Sequence, residues 1–489
     1  MSTLPKEEKF DHHTFISPFT WRYGSREMRK VFSEINTRTY WRKIWSSLAE
    51  AQSSFGLVSK EEVRDLKSKV TEDHIDLKRS HEIERKIRHD LMSEIKTYAE
   101  QAPIGGGKIH LGATSADIED NVDIIKLLQA LDIILTRLVN SLNSLSNNII
   151  KYSNLPCIAW THLQPAEPTT LGYRFANYAQ DILLDICSIE NLKQDFLKSK
   201  GLKGAVGTSG SYKQLLKEKA SPMKLEEKVM QQFGLDVFPV TTQTYPRKVD
   251  HLILSVLSSI SQSTHKFGLD IRILQSPVFG ELSEPLGKSQ VGSSTMAFKR
   301  NPITSERMCS LARYVSALPN ITFMNSSFNI LERTLDDSAN RRILIPEGFL
   351  AIDECLTLYS KIISNITVNK FRIKKNLETF GVFSGTEAVL MEMVKRGEDR
   401  QNIHEKIRVL SFQAWNDVSN GKNNPLKDLI INDPQIKEKI PLSMLKDLLN
   451  PSIYIGDAVS RTELFVSKSI KPVLTNYKER IGKKSKTCY

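Results

Sequence analysis

The stretch Thr114-Ser115-Ala116-Asp117-Ile118-Glu119-Asp120-Asn121-Val122 opens a segment whose apolar residues fall at Val122, Ile125, Leu128, Leu131, Leu135, Leu138, Leu142, Leu145 and Ile149. Steps of three and four keep these side chains on one face of an α-helix for about eight turns, or about 45 Å. Thr114 and Asp117 have the spacing of a capping box at the helix start, and the free amides there suit a carboxylate ligand. A stripe this long exceeds what a compact monomer needs to bury. Comparable helical stretches recur around 170–198, 249–275 and 342–364. Long helices that each bury a stripe predict an all-α fold built on a central bundle and completed by oligomerisation, with a monomeric helical array as the simpler alternative. No repeat of 20 to 50 residues is present, which argues against a solenoid.

Upstream of that helix the pattern is polar and helical, broken near Gly56 and at Thr71-Glu72-Asp73. Arg22 and Tyr23 stand side by side on a loop, and Arg88-His89-Asp90 sets an imidazole between a cation and a carboxylate. The tract Gly105-Gly106-Gly107-Lys108 fails as a phosphate loop because Ile109 follows the lysine, and it reads instead as a flexible turn. Downstream, Pro165 in Thr161-His162-Leu163-Gln164-Pro165 is expected to end regular structure and leave His162 on a loop. Further on, Gly292-Ser293-Ser294-Thr295-Met296-Ala297-Phe298-Lys299-Arg300-Asn301-Pro302 gathers hydroxyls, cations and an amide. Gly292 and Pro302 make it a mobile loop leading into a helix near Thr304, which carries Glu306 and Arg307.

Composition narrows the class. With 489 residues, 40% hydrophobic and 25% charged, the chain can bury a sizeable core. The charged N-terminus and the lack of an eighteen-residue apolar run point to the cytoplasm. Five scattered cysteines without a Cys-x-x-Cys pair suggest neither a disulfide framework nor a zinc site, and His404-Glu405 lacks the second histidine of a zinc helix. A net charge of +12 favours anionic partners. No basic stripe interleaved with aromatics accompanies it, and part of the excess lies in the tail from Lys478 to Lys486, expected to be solvated and frayed. A polyanionic metabolite therefore fits better than nucleic acid.

The pattern Gly292-Ser293-x-x-Met296-x-x-Lys299-x-Asn301 resembles the signature loop of the fumarase/aspartase superfamily, whose members eliminate fumarate from succinyl-bearing substrates. Ala297 stands where most members carry proline, which suggests a less rigid loop. Thr161-His162-x-Gln164-Pro165 and Gly112-Ala113-Thr114-Ser115 match two further motifs of that superfamily in order and spacing. The resemblance covers essentially the whole chain. It implies three domains, 1–112, 113–368 (the bundle with the signature loop) and 369–489, and a homotetramer with shared sites. Within the superfamily, Ser25-Arg26-Glu27-Met28, the segment Gln243 to Asp250, and the segment Glu332 to Arg342 look specifically like the adenylosuccinate lyase family. Guanidinium forks with Ser338 suit a phosphomonoester; the argininosuccinate lyases, the same-fold alternative, have no phosphate to bind.

What the resemblance implies about roles follows motif by motif. Ser293 would be the base, His162 the general acid to the leaving nitrogen, Glu306 the carboxylate paired with that histidine, and His89 an assistant hydrogen-bonding the substrate. Lys299 and Asn301 would hold the succinyl carboxylate, with Thr114 and Ser115 at its other end. Arg22, Tyr23, Arg333, Ser338 and Arg342 would take the phosphate, and Gln243 and Arg307 would complete the succinyl and ribose contacts. Arg88 and Asp90 flank His89 in the same substrate-binding set. No cofactor or metal is implied. A non-catalytic helical scaffold of the same descent is disfavoured by the intact Ser293, His162, Lys299 and Glu306.

Overall fold

The computed structural model describes residues 12–287, 295–296 and 298–483. Early helices α1 (Glu34–Ser53), α2 (Leu77–Ile87) and α3 (Asp90–Gln101) lead to the long helix α4 (Ser115–Lys151). A hairpin follows, β1 (Pro156–Thr161) and β2 (Gln164–Thr170), then α5 (Leu171–Asn191), α6 (Lys248–Gln275), α7 (Ile303–Ala317) and α8 (Asp336–Ser364). Shorter helices fill the connections.

The 37 residues of α4 contain no glycine or proline to break the run. Eight of the nine stripe residues named above are buried; Leu128 is half-buried. Ile124, Leu127, Ile134 and Val139 are buried as well, so the single stripe was too narrow an expectation. The reason is position: α4 packs on α5 on one side and α8 on another, which buries more than one face.

Cross-contacts set the directions. Arg341 meets Asp123, Arg137 meets Asp353 (3.0 Å) and Ser141 meets Ser360 (2.8 Å), so α4 and α8 run parallel. Arg341 also pairs with Asp250, and Gly348 lies by Leu254 and Leu257, which makes α6 parallel to both. In contrast α5 and α7 run against them: Lys193 pairs with Asp132, and Gly268 faces Met308 while His251 reaches the Pro319 carbonyl (3.2 Å). The starts of α4, α6 and α8 therefore share one end of the bundle. Their C-termini share the other end with the starts of α5 and α7.

Hydrophobic packing divides into two clusters. Buried side chains of the first hundred residues, such as Trp45 and Leu91, are continuous with the bundle core. Within 369–489, a separate cluster runs from Val382 to Leu449, built on α9 (Val382–Lys395), α10 (Arg400–Ser419) and the short helices that follow. Val466 and Ile470 rejoin the bundle core.

Three local expectations need correction. Gly105 and Gly106 are not a flexible turn: a Cβ on Gly105 would lie 2.5 Å from the Glu62 carbonyl oxygen and one on Gly106 2.8 Å from Ala99, so glycine serves close packing there. The tail is not frayed through Lys483: Arg480 donates to the Asp132 carbonyl and the Thr136 hydroxyl (3.0 Å each), and Gly482 donates to Asn140 (2.8 Å). Pro165 does not end regular structure. It pairs with Trp160 inside the hairpin, tolerated because a two-stranded sheet consists of edges alone.

At the corner between α4 and α5 a Cβ on Gly172 would meet the Ile149 carbonyl oxygen at 2.6 Å and Ser153 backbone atoms at 2.7 Å. Backbone cannot yield as a side chain can. Gly172→Ala is expected to lose about 1–3 kcal/mol of stability in urea denaturation despite alanine's higher helix propensity.

Candidate active site

Thr114 and Ser115 are placed by the side chain behind them. Asp117, fully buried in the first turn of α4, accepts the Thr114 N–H (3.1 Å) and the Tyr212 hydroxyl (3.1 Å), and it pairs with the equally buried Lys200. The backbone N–H groups of Lys203 and Gly204 donate to the same carboxylate at 3.1 Å. With this many donors the buried charge is solvated by the protein itself.

A ladder of ion pairs then ties the three parallel helix starts together. Asp120 on α4 takes both arms of Arg247 (3.1 and 3.2 Å), whose Nε donates to Asp337 on α8 (2.6 Å). Arg333 joins Asp337 at 2.8 Å. In parallel, Arg341 on α8 donates to Asp250 on α6 (2.7 Å), to the Tyr245 hydroxyl (2.7 Å) and to Asp123 on α4 (3.3 Å). Burial works to raise the pKa of Asp123, yet Lys126 and Arg341 bring it down to about 2. The ladder holds Arg333, Ser338 and Arg342 on one rim.

On that rim the exposed Arg342 side chain, 66% accessible, pairs with Asp90 at 2.6 Å. Burial opposes ionisation of Asp90, but Arg342 wins and lowers its pKa. Arg88 closes α2 in the left-handed region (φ 55°), and His89 caps α3 by accepting the Met92 N–H at Nδ1 (3.4 Å). When neutral, this ring carries its proton on Nε2 and can offer it outward. Gln243 is fixed by its N–H to the Glu332 carbonyl (3.2 Å), next to Arg333.

Two neighbours carried no clear sequence signal. Glu119, on the turn after Thr114, has its pKa pushed up to about 7 by burial and by the charges of Asp90, Asp120 and Asp123, with Arg342 opposing. His110 accepts the Trp45 indole N–H at Nδ1 (3.0 Å), and burial pushes it down to about 4, so it is neutral at physiological pH.

The remaining candidates lie elsewhere. Arg22 and Tyr23 sit on a loop clamped to α8: Ser17 donates to Glu347 (2.9 Å), Gly24 to Glu354 (3.2 Å) and Ser25 to Asp353 (2.7 Å). The Arg307 guanidinium stands 5.9 Å from the Tyr23 ring centroid and 3.7 Å from Glu354. Toward the C-terminal end of α6, Gln275 donates to the Arg300 carbonyl (2.9 Å) and accepts the Glu284 N–H (3.0 Å). Buried Glu284 caps α7 by accepting from Thr304 (3.0 Å) and Ser305 (2.9 Å). These contacts hold the stem that bears exposed Lys299, half-buried Asn301 and exposed Glu306. Gly292, Ser293, Ser294 and Ala297 lie outside the described residues.

His162 occupies a two-residue hairpin turn with Leu163, both left-handed (φ 55° and 60°). Such primed turns match strand twist but favour asparagine and glycine, so the side chains here are kept at some cost. Trp160 packs edge-on against Phe279 (4.8 Å) and Phe380 (5.6 Å), and Ala166 accepts from Ser384 (3.3 Å), which anchors the hairpin beside the C-terminal cluster.

The structure thus gathers Arg88, His89, Asp90, Thr114, Ser115, Gln243, Arg333, Ser338 and Arg342 at one end. It sets His162, Lys299, Asn301 and Glu306 at the other, with Arg22, Tyr23 and Arg307 along the side. The length of α4 separates Thr114 from the hairpin by about 55 Å, and a six-residue strand of about 20 Å cannot close that gap. Among the described residues, no hydrogen bond or ion pair joins His162 to Glu306.

Comparisons agree with this architecture. The fold is shared with a 3-carboxy-cis,cis-muconate lactonizing enzyme from Pseudomonas putida (TM-score 0.80, 24% identity, 92% of this chain and 98% of that one). Residues 35–316 match the family described as Lyase, which defines the class. Residues 383–465 match the family described as Adenylosuccinate lyase C-terminus. The chain is 40% identical over 471 residues to an adenylosuccinate lyase of Schistosoma mansoni (95% of this chain, 97% of that protein) and 38% identical over 478 residues to one of Saccharomyces cerevisiae (96% and 98%). The chain belongs to the adenylosuccinate lyase family.

Arg341 and Arg342 are adjacent but unequal. Arg341→Met leaves the buried Asp250 without an ion-pair partner and is expected to cost about 3–5 kcal/mol in chemical denaturation, whereas Arg342→Met should cost under about 1 kcal/mol. Glu119 gives a pH signature. Its ordinary pKa is 4.5 and its folded one about 7, so between these values the native state holds a proton that the unfolded state releases. Stability therefore falls as pH rises through that window. Glu119→Gln should melt higher than the parent at pH 8 and level with it at pH 4.

Proposed function

We propose that the protein cleaves adenylosuccinate to AMP and fumarate, and the succinyl-aminoimidazole carboxamide ribotide to the aminoimidazole carboxamide ribotide and fumarate, in the cytoplasm and as a homotetramer. The observation that carries this reading is the rim of Arg333, Ser338 and Arg342, braced by Asp337 and Arg341 for an anion that a phosphomonoester would supply. Near-full-length likeness to proteins named adenylosuccinate lyase supports the same substrate.

Elimination requires a base for the proton beside a carboxylate, an acid for the leaving nitrogen, and cations for the doubly charged carboxylate that forms between. In this reading Ser293 takes the proton and His162, thrust out on its strained turn, gives one to the nitrogen as the carbon–nitrogen bond breaks. Glu306 holds the imidazolium form. Lys299 neutralises the carboxylate and Asn301 hydrogen-bonds it, from a loop whose closure excludes water. His89, with Nε2–H outward, hydrogen-bonds the substrate, and Thr114 and Ser115 receive the far carboxylate. Arg88, Asp90, Gln243, Arg22, Tyr23 and Arg307 complete the nucleotide contacts.

Residues held about 35 Å or more apart in one protomer act together when copies bring one end of a bundle against the other end of its neighbour. Exposed Phe323, Phe328, Ile330 and Leu331 give such a neighbour apolar surface.

Ultraviolet assay with adenylosuccinate should show turnover by the parent, and a loss of at least about 1,000-fold in both His162→Ala and Ser293→Ala. Argininosuccinate should not be cleaved. Mixing inactive His89→Ala with inactive His162→Ala after reversible dissociation should restore part of the activity. Failure of mixed tetramers to recover any would overturn the shared site.

A further inference from the structure

The segment from Lys200 to Gly210 is not among the residues that the superfamily motifs cover, yet it is anchored more firmly than an exposed loop requires. Its stem wraps the first turn of α4. Lys200 and Asp117 form a fully buried ion pair, and Lys203 and Gly204 add their N–H groups to the same carboxylate (3.1 Å each). Asn121 exchanges two hydrogen bonds with Gly201 (2.9 and 3.0 Å), and Glu226 accepts from the Leu202 N–H and the Lys203 ammonium (2.7 Å each). A buried pair of this kind gives little net stability, so its role is to fix geometry.

What it fixes is visible at the tip. Asp117 also holds the Thr114 N–H, so the loop and the candidate carboxylate-binding residues hang from one carboxylate. At Gly207 (φ 83°) the loop presses on the segment leading to Gln243: a Cβ there would stand 2.0 Å from the Thr241 carbonyl oxygen. Ser209 turns its hydroxyl inward to the Leu202 carbonyl (3.3 Å) and its N–H to Lys203 (2.8 Å). Thr208, between them, is left exposed, and its hydroxyl makes no hydrogen bond among the described residues. The loop therefore bridges Thr114 and Gln243 and offers one hydroxyl.

We propose that Gly204–Ser209 forms a further wall of the substrate site and that the Thr208 hydroxyl donates a hydrogen bond to the substrate's carboxylate at the Thr114–Ser115 end. This rests on the lyase reading above. Thr208 is a specificity-determining contact: it adds affinity for the dicarboxylate half of the substrate and takes no part in proton transfer.

The test is steady-state kinetics on Thr208→Val, which keeps shape and removes the hydroxyl, beside Thr208→Ser and the parent. A hydrogen bond to a charged group is worth about tenfold or more in binding. KM for adenylosuccinate should rise about tenfold in Thr208→Val with kcat within about twofold, and Thr208→Ser should restore it. Product inhibition separates the two halves of the substrate: inhibition by fumarate should weaken about tenfold, and inhibition by AMP should not change. Parent-like constants for Thr208→Val in an active parent would overturn the inference, as would weakened inhibition by AMP alone. An inactive parent would instead remove the lyase reading on which it stands.

Discussion

Arg247 and Arg341 lie between three parallel helices, and the arrangement at that end of the molecule depends on them. Parallel helices bring like ends together. Their N-termini carry partial positive charge, which the acidic residues of the first turns, Asp117, Asp250 and Asp337, offset, with Asp120 a turn further in. Those carboxylates are then close enough to repel one another. Two guanidinium groups threaded between them convert repulsion into a ladder, with Asp120, Arg247, Asp337 and Arg333 on one rail and Asp123, Arg341, Asp250 and Tyr245 on the other. Arg333 is fixed by it through Asp337, and Arg342, next to Arg341, is carried to the same rim, where it meets Asp90.

The same parallel packing imposes a division of labour. Because α4, α6 and α8 all point one way, residues at their starts and residues in the loops after their ends are held a bundle's length apart. His89, Thr114 and Arg342 belong to the first set; His162, Lys299 and Glu306 belong to the second. A rigid bundle cannot bend to unite them within one protomer, which is why the proposed chemistry is assigned to a site shared between copies. The hairpin that bears His162 fits that arrangement: its strands are braced by Trp160, Phe279 and Phe380, while its tip projects two left-handed, exposed side chains.

Much of this was legible from local pattern. The α4 stripe reported its own length because helical periodicity is a matter of neighbours three and four positions away, and the start of α7 was readable from Pro302 and Thr304. Glycines were less informative. Gly105 and Gly106 look like flexibility in one dimension and turn out to be close contacts with Glu62 and Ala99, which sequence spacing does not reveal. The hairpin was missed for a related reason: His162-Leu163 lacks the asparagine or glycine that usually announces a two-residue turn.

By itself the sequence determined the helices, their caps and the inventory of chemical groups, since these rest on interactions within a few residues along the chain. It also pointed to the superfamily, through three separated motifs in fixed order, and to the family, through the segments around Ser25, Gln243 and Arg342. Only the tertiary structure decided which charges meet. Arg341 finds Asp250 across 91 positions and Asp123 across 218, and Lys200 finds Asp117 across 83. Those pairings follow from the direction in which each helix packs, a choice made by burial of whole faces, and no local spacing encodes it.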